Sequence, residues 1–220
     1  MKRFVKAVGG MHHTVIYTDT DGRHYRFSGG TWAWRNHNPG NVTPGNVSRR
    51  HNQIGVTHKF AIFPNDQCGH DALLDSLHTT YWNKSIHEMI YGYAPPKDHN
   101  PTKKYEKFLQ EKTGVFDNRP IKKFTDAQFK KLWKAIEQFE DYKTGDVIEV
   151  FRISDVQKIG KNEYRFCREN GNWMSEDECI EYAKNAQVEL EVCISDLGTE
   201  FLRACPDSLF QKKLGSLIKK

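Results

Sequence analysis

The segment from Trp32 to Val42 concentrates side chains that can bind a polar ligand. Its sequence, W-A-W-R-N-H-N-P-G-N-V, combines an arginine and three asparagines with a Pro-Gly corner. Loops of this composition place amide and guanidinium groups at binding clefts. Two indoles, Trp32 and Trp34, add flat apolar faces, so the chemistry of the segment suits a sugar. The alternative is a turn in which each asparagine side chain caps its own backbone.

Other motifs that would identify a reaction are absent from the sequence. It contains no G-x-S-x-G motif, no P-loop and no H-E-x-x-H zinc motif. Its five cysteines show no C-x-x-C spacing, and an odd number argues against a complete disulfide framework. We therefore predict no metal and no cofactor, and we interpret the cysteines as buried thiols. The alternative is a pairing among four of them: Cys167, Cys179, Cys193 and Cys205.

Charge is distributed unevenly along the chain. Residues 1–143 carry 22 Lys and Arg against 14 Asp and Glu, whereas residues 144–220 carry 11 against 14. The basic part is the one expected to meet an anionic partner, but without a long Arg/Lys run nucleic acid is not the favoured one. No stretch has the roughly 20 apolar residues of a membrane span, and none follows the N-terminus as in a signal peptide. The expected product is synthesised in the cytoplasm without a signal peptide.

We call the segment from Trp32 to Val42 the polar loop. The elements that must position it are predicted to be helices. A turn at Thr20-Asp21-Gly22 indicates an opening hairpin, and capping residues at Asn65, Ser85 and Thr125 each precede an apolar pattern of helical period. From about residue 145 the apolar pattern changes to period 2. The sequence therefore predicts an α+β chain with a mostly helical domain, residues 1–143, that begins with a β-hairpin. A small β-β-α-β-β accessory domain, residues 144–220, is predicted to follow.

Several ordered blocks carry a resemblance to a known family. They are the run from Ser28 to Val42, then F-A-I-F-P at 60–64, and Y-A-P-P-K-D-H-N at 93–100. Together they resemble a lysozyme-like peptidoglycan-degrading family of type VI secretion effectors and phage-associated proteins. Its signature is R-N-N-N-P-G-N, followed by F-A-V-F-P and Y-A-P-P-x-E-N. The resemblance covers about Tyr25 to Tyr142 and implies a mostly helical lysozyme-like fold.

The activity implied by this resemblance is cleavage of the glycan strand of peptidoglycan. That reaction needs a carboxylic acid that remains protonated near neutral pH. Asp98 stands where the family has the Glu of Y-A-P-P-x-E-N, so it is the first candidate for the acid. Glu88 also matches the family, although a capping box explains it equally. Asp66 is the third candidate, and the first turn of a helix is the alternative explanation for it.

The resemblance also implies a set of substrate-binding residues. Those matching the signature could orient N-acetyl and hydroxyl groups: Arg35, Asn36, Asn38 and Asn41. Tyr93 could stack on a sugar face. His37 departs from the usual Asn but keeps a hydrogen-bond donor.

The C-terminal part resembles a small uncharacterised bacterial domain that ends in a G-T-E-Y-L-R-T-x-P-D pattern, here Gly198 to Asp207. That resemblance implies no activity, so we predict a docking or stabilising role.

The resulting hypothesis is a peptidoglycan glycan-strand hydrolase, either a secreted antibacterial effector or a phage-associated lysin. It would act in the periplasm or the cell wall after delivery, with an immunity protein or a component of the secretion machine as partner. One alternative is a non-catalytic cell-wall-binding or structural protein of the same fold. A second alternative is a nucleic-acid-binding module, suggested by the basic charge and the Trp and Tyr content.

Overall fold

The computed structural model describes residues 3–161, 163–206 and 208–218. It contains 36% helix and 27% strand, and the described residues form seven α-helices and eleven strands in four small antiparallel sheets. The chain is therefore a mixed α+β protein. The expectation of a mostly helical lysozyme-like domain followed by a β-β-α-β-β domain is wrong, because strands take up far more of the chain than the periodicity indicated. Asp207, the last residue of the C-terminal pattern, lies outside the described residues.

The chain forms two compact units. The first gathers residues 3–29, 55–58 and 145–218, and the second contains residues 30–54 and 59–144. Along the chain, the second unit ends at residue 144 and the first resumes at residue 145. Residues 3–29 group with the segment that begins at residue 145.

The strands run in chain order as follows: β1 (Phe4–Gly9), β2 (Val15–Asp19), β3 (His24–Ser28), β4 (Gly55–Thr57), β5 (Phe60–Ile62), β6 (Asp146–Val150), β7 (Ile153–Gly160), β8 (Glu163–Arg168), β9 (Trp173–Ser175), β10 (Leu190–Ile194) and β11 (Glu200–Ala204). The four sheets have the orders β1-β2-β3-β6, β4-β5, β7-β8-β9 and β10-β11.

The four-stranded sheet of the first unit explains why the fold expectation was wrong. The predicted hairpin is present as β2 and β3, and its turn is held by Asp19, whose Oδ1 accepts the backbone N–H groups of Asp21 and Arg23, each at 2.9 Å. An isolated hairpin is only marginally stable in water. The hairpin gains a further strand next to β3, namely β6, in which Ile148 lies opposite Arg26. The first stretch of period-2 pattern after residue 145 thus forms two strands, β6 and β7, that belong to different sheets.

The helices are α1 (Trp32–Arg35), α2 (Asn46–Arg50), α3 (Asp66–Thr79), α4 (Ile86–Tyr93), α5 (Thr102–Thr113), α6 (Asp126–Phe139) and α7 (Glu176–Lys184). The first six belong to the second unit. Asn65, Ser85 and Thr125 cap α3, α4 and α6 as predicted, each accepting a backbone N–H of the first turn. No helix among the described residues is long and apolar enough to cross a bilayer.

One apolar core holds the second unit together. It contains buried side chains of α3 to α6, of β5 and of the residue that follows β5, among them Phe63, Leu73, Met89, Tyr105 and Ile136. The ring of Tyr105 on α5 stacks on that of Phe139 on α6, with centroids 3.7 Å apart. This core fixes the C-terminal end of α6 beside α5.

Candidate active site

The carboxyl group of Glu140 stands at the C-terminal end of α6. Leu132 and Ile136, eight and four residues earlier, are both fully buried. Because positions four apart share one face of a helix, Glu140 is carried to the same inward face. Its backbone N–H donates to the carbonyl oxygen of Ile136 at 3.0 Å, which continues the helical pattern through this residue. The sequence thus places a carboxyl group at the edge of the core.

Two other segments meet this carboxyl group. The Asn41 side-chain amide donates to Glu140 Oε2 at 2.8 Å, and the Tyr105 hydroxyl donates to Glu140 Oε1 at 2.9 Å. Asn41 ends the polar loop, and Tyr105 belongs to α5. The carboxyl group therefore joins the loop and two helices at one point. The Oδ1 atom of Asn41 is buried and has no hydrogen-bond partner among the described residues.

The surroundings of Glu140 favour its protonated form. Burial raises the pKa of Glu140 above its usual value, and this effect exceeds the opposing influence of the Asn41 and Tyr105 hydrogen bonds and of the Lys59 charge. A carboxyl group with a raised pKa can retain a proton at a pH where an exposed carboxyl group has lost it. This is the property that general acid catalysis requires.

Glu140, Asn41 and Tyr105 form the Glu140 cluster, and Tyr93, at the end of α4, belongs to it as well. Its hydroxyl donates to the carbonyl oxygen of Gly40, so the bend after α4 contacts the polar loop directly. Burial, followed by the nearby Glu140 carboxylate, raises the pKa of Tyr93 well above its usual value. Its ring lies 6.0 Å from that of Tyr81 in an edge-on arrangement. Tyr93 thus remains a proton donor that anchors the loop, which differs from the stacking role expected for it.

Asn38 holds the loop in shape from inside. Its side-chain amide donates to the carbonyl oxygens of Val42 and Ala61, both at 2.9 Å, and its Oδ1 accepts the Val42 N–H at 2.8 Å. It is completely buried. Gly69 of α3 is needed beside it, because a Cβ at that position would collide with the carbonyl oxygen of His37. Asn38 is therefore a structural anchor between the loop and β5, and its amide is not directed at solvent.

Arg35 and Asn36 are also buried. The Arg35 guanidinium donates to the carbonyl oxygen of Gly30 at 2.8 Å and lies 4.2 Å from the centre of the Trp32 ring. Asn36 is completely buried, and neither polar atom of its side chain has a partner among the described residues. Of the predicted binding residues, the structure brings Asn41 and Tyr93 to the carboxyl cluster, while Arg35 and Asn38 support the loop.

Asp98 and Glu88 occupy surroundings unlike that of Glu140. Asp98 is exposed and accepts a hydrogen bond from Lys59 Nζ at 2.9 Å, which lowers its pKa. Glu88 accepts the Ser85 backbone N–H at 2.8 Å in the predicted capping box, and this bond lowers the pKa of Glu88. Both groups are therefore stabilised as carboxylates, the direction opposite to that needed by a general acid near neutral pH.

Asp66 lies in the first turn of α3 as predicted. Its Oδ1 accepts a hydrogen bond from the Tyr142 hydroxyl at 2.5 Å, and burial raises the pKa of Tyr142. Burial lowers the pKa of the neighbouring His37, although the Asp66 charge acts in the opposite direction. Asp66 thus binds a tyrosine near the end of the second unit, away from the bonds that define the Glu140 cluster.

Glu140 is not among the acids predicted from the sequence, which are Asp66, Glu88 and Asp98. It lies 99 residues after Asn41, to which it is hydrogen-bonded. One local signal was available: the spacing Leu132, Ile136, Glu140 places a carboxyl group on the apolar face of an amphipathic helix. A charged residue at such a position requires a partner or a function.

A metal ion is not needed to explain this cluster. Among residues 3–161, 163–206 and 208–218, no three His, Cys, Asp or Glu side chains are grouped so that they could hold a metal ion. All five cysteines are free thiols. No protein-family model matches the chain, and comparison with curated proteins gives no match.

Proposed function

We propose that the chain cleaves the glycan strand of peptidoglycan, with Glu140 as the general acid. The observation that supports this role is the raised pKa of a carboxyl group that is hydrogen-bonded to the polar loop. Glycosidic cleavage requires proton transfer to the leaving oxygen, and a carboxyl group that is protonated near the working pH can supply that proton. The resemblance of the loop and of the Tyr93 segment to wall-degrading proteins indicates the substrate.

Each neighbour has a distinct part in the proposed reaction. The Glu140 proton occupies a carboxyl lone pair that neither Asn41 nor Tyr105 uses, because each oxygen accepts one hydrogen bond from the protein. After transfer, the same two donors and the Lys59 charge stabilise the carboxylate that remains. Asn41 and Tyr105 are thus positioning residues, and Glu140 is the catalytic one. The proposed site of action is the periplasm or the cell wall, reached through a secretion machine or a phage.

Digestion of purified sacculi tests the proposal. The wild-type chain should release soluble fragments that end in a sugar, and Glu140→Gln should reduce the rate at least about 100-fold, the usual size of an acid-base contribution. Glutamine can still accept from Asn41 and donate to the Tyr105 oxygen, so folding is expected to be preserved. Circular dichroism and thermal unfolding would check this.

Two matched variants serve as controls. Glu88→Gln changes a carboxylate of the same type that lies in a capping box, and Asp98→Asn changes the family-aligned acid. Both should retain digestion within about threefold, because a capping or exposed ion-paired carboxylate takes no part in the proton transfer. Loss of digestion in Asp98→Asn with full activity of Glu140→Gln would reject Glu140 as the acid.

A non-catalytic wall-binding role is the second candidate. It is favoured by the fact that both Glu140 oxygens already accept hydrogen bonds within the protein, as in a structural buried carboxyl group. On this alternative, wild-type chain and Glu140→Gln would sediment equally with sacculi, and neither would release sugar-terminated fragments. The same digestion assay therefore separates the two functions.

A further inference from the structure

The first unit contains a polar cleft that the proposed reaction does not use. It has a volume of about 510 Å³ and is lined by the β2–β3 turn, the end of β6 and the segment after β8. This volume lies within the range of small-molecule sites. Its charged lining consists of Arg23 and Arg168 with Asp21, Glu149 and Glu169.

Arg168 is held in this cleft by two aromatic rings. Its guanidinium carbon lies 4.0 Å from the centre of the Phe151 ring and 4.3 Å from that of Tyr182. The two rings are 5.1 Å apart and nearly perpendicular. Cation–π contacts of this kind fix the guanidinium without using its N–H groups. The Arg168 side chain is therefore oriented before any ligand arrives.

The guanidinium N–H groups of Arg168 have no acceptor in the part of the chain that the structure describes, whereas its backbone N–H donates to the Asn172 carbonyl oxygen at 2.8 Å. Two other arginines of the unit are paired with carboxylates: Arg152 binds Glu169 at 2.7 Å, and Arg203 binds Glu191 at 2.6 Å. Glu178 is close enough for the Arg168 charge to contribute to lowering its pKa, but its carboxylate is occupied by Ser175. A half-buried, oriented and unpaired guanidinium is suited to bidentate binding of an oxyanion.

The rest of the lining limits which oxyanion fits. Glu169 is already occupied by His24 at 3.0 Å and by Arg152. Asp21 and Glu149 remain as carboxylates of the cleft, so the charge of the lining does not favour a dianion such as phosphate. A carboxylate matches the planar guanidinium, and it brings only one negative charge to this lining. The side-chain amides of Asn170 and Gln187 add donors and acceptors for a peptide group.

We propose that this cleft binds the carboxylate of an amino acid or of a peptide C-terminus, with Arg168 as the anchor. Such a site is independent of glycan cleavage, since it lies entirely within the first unit.

The test is a titration of the isotopically labelled full chain, followed by NMR, with the alanyl-alanine dipeptide up to about 10 mM. Saturable shifts are expected in the residues of the cleft, including the Arg168 Nε–H signal. The C-terminal amide of the same dipeptide should bind at least about tenfold more weakly, because the bidentate acceptor is lost. Free alanine that binds as well as the dipeptide would assign an amino acid, and tighter dipeptide binding would assign a peptide end.

Variants at Arg168 supply the second measurement. Arg168→Gln and Arg168→Lys should each weaken binding at least about tenfold, because neither has the planar fork. Arg203→Gln, which removes an exposed arginine paired outside the cleft, should leave binding within about twofold. The proposal is overturned by inorganic phosphate binding more tightly than the dipeptide, by equal binding of the dipeptide and its amide, or by absence of saturable shifts. The amide comparison uses the wild-type chain and holds even if the Arg168 variants do not fold.

Discussion

Glu88 and Glu140 lie at opposite ends of helices, and their surroundings move their pKa values in opposite directions. Glu88 accepts N–H groups at the start of α4, where the helix dipole favours a negative charge. Glu140 follows the last turn of α6, where the dipole disfavours a negative charge, and burial raises its pKa. The two residues have the same chemical group, so the difference in proton affinity comes from position alone.

The raised pKa of Glu140 makes a pH dependence of stability expected. The folded state holds this proton to higher pH than the unfolded state, so its stabilising effect is complete below the usual glutamate pKa and is lost as pH rises through the raised value. Urea unfolding of wild type and Glu140→Gln from pH 4 to pH 8 measures this effect. As pH increases, the free energy of unfolding of the wild type should fall relative to that of Glu140→Gln, by at most about 1.4 kcal/mol per pH unit.

Glu88→Gln provides the control of opposite sign. Its pKa is lowered by the Ser85 hydrogen bond, so the stabilisation is present above the usual glutamate pKa and is lost as pH falls through the lowered value. Identical pH profiles for the two variants would contradict the environments described for these carboxyl groups.

At the scale of elements, the polar loop leads from α1 towards α2 and is tied to β5 by hydrogen bonds. Asn38 makes three hydrogen bonds to backbone groups of the loop and of β5. Tyr93 adds a bond from the end of α4. A loop that is fixed at both sides presents Asn41 to Glu140 with little loss of conformational entropy.

Asn38→Ala should therefore destabilise the second unit. The substitution removes three buried hydrogen bonds, those to the Val42 N–H, the Ala61 carbonyl oxygen and the Val42 carbonyl oxygen, of which the last keeps its bond from the Ala61 N–H. The expected cost is about 3 kcal/mol in the free energy of unfolding. Asn46→Ala is the control, because Asn46 is exposed and its side chain accepts a hydrogen bond from the exposed Arg49. Its cost should stay within about 0.5 kcal/mol. Equal costs in chemical denaturation would contradict the anchoring role of Asn38.

At the scale of the whole molecule, the four-stranded sheet of the first unit joins segments far apart in sequence. β6 pairs with β3 across more than 100 residues, and Val150 at its end is buried against Ile16 and Phe210. The second unit has its own core, which lies entirely within residues 30–54 and 59–144. Each unit thus contains apolar clusters of its own, and the chain of the first is interrupted by the second.

Val150→Ala is expected to weaken the first unit. Removing buried apolar atoms should cost about 2 kcal/mol and should reduce amide-exchange protection in β3, while α6 keeps its protection. Val147→Ala in the same strand is the matched control, because Val147 is 48% exposed against 3% for Val150. A loss of β3 protection that is equal in both variants would contradict the pairing of β6 with the hairpin.

The sequence by itself determined the local elements of this protein. The caps at Asn65, Ser85 and Thr125 and the turn after Asp19 depend on neighbours within three or four residues, so their signals can be read directly. Apolar spacing likewise identified the buried face of α6, although the meaning of Glu140 on that face was missed.

Only the tertiary structure decided the partner of β3 and the state of the Glu140 carboxyl group. A strand forms when a distant segment completes its ladder, and periodicity does not record which segment does so. A pKa likewise depends on burial and on donors that Asn41 and Tyr105 bring from 99 and 35 residues away. Both properties arise from long-range contacts, because pairing and desolvation act through space and not along the chain.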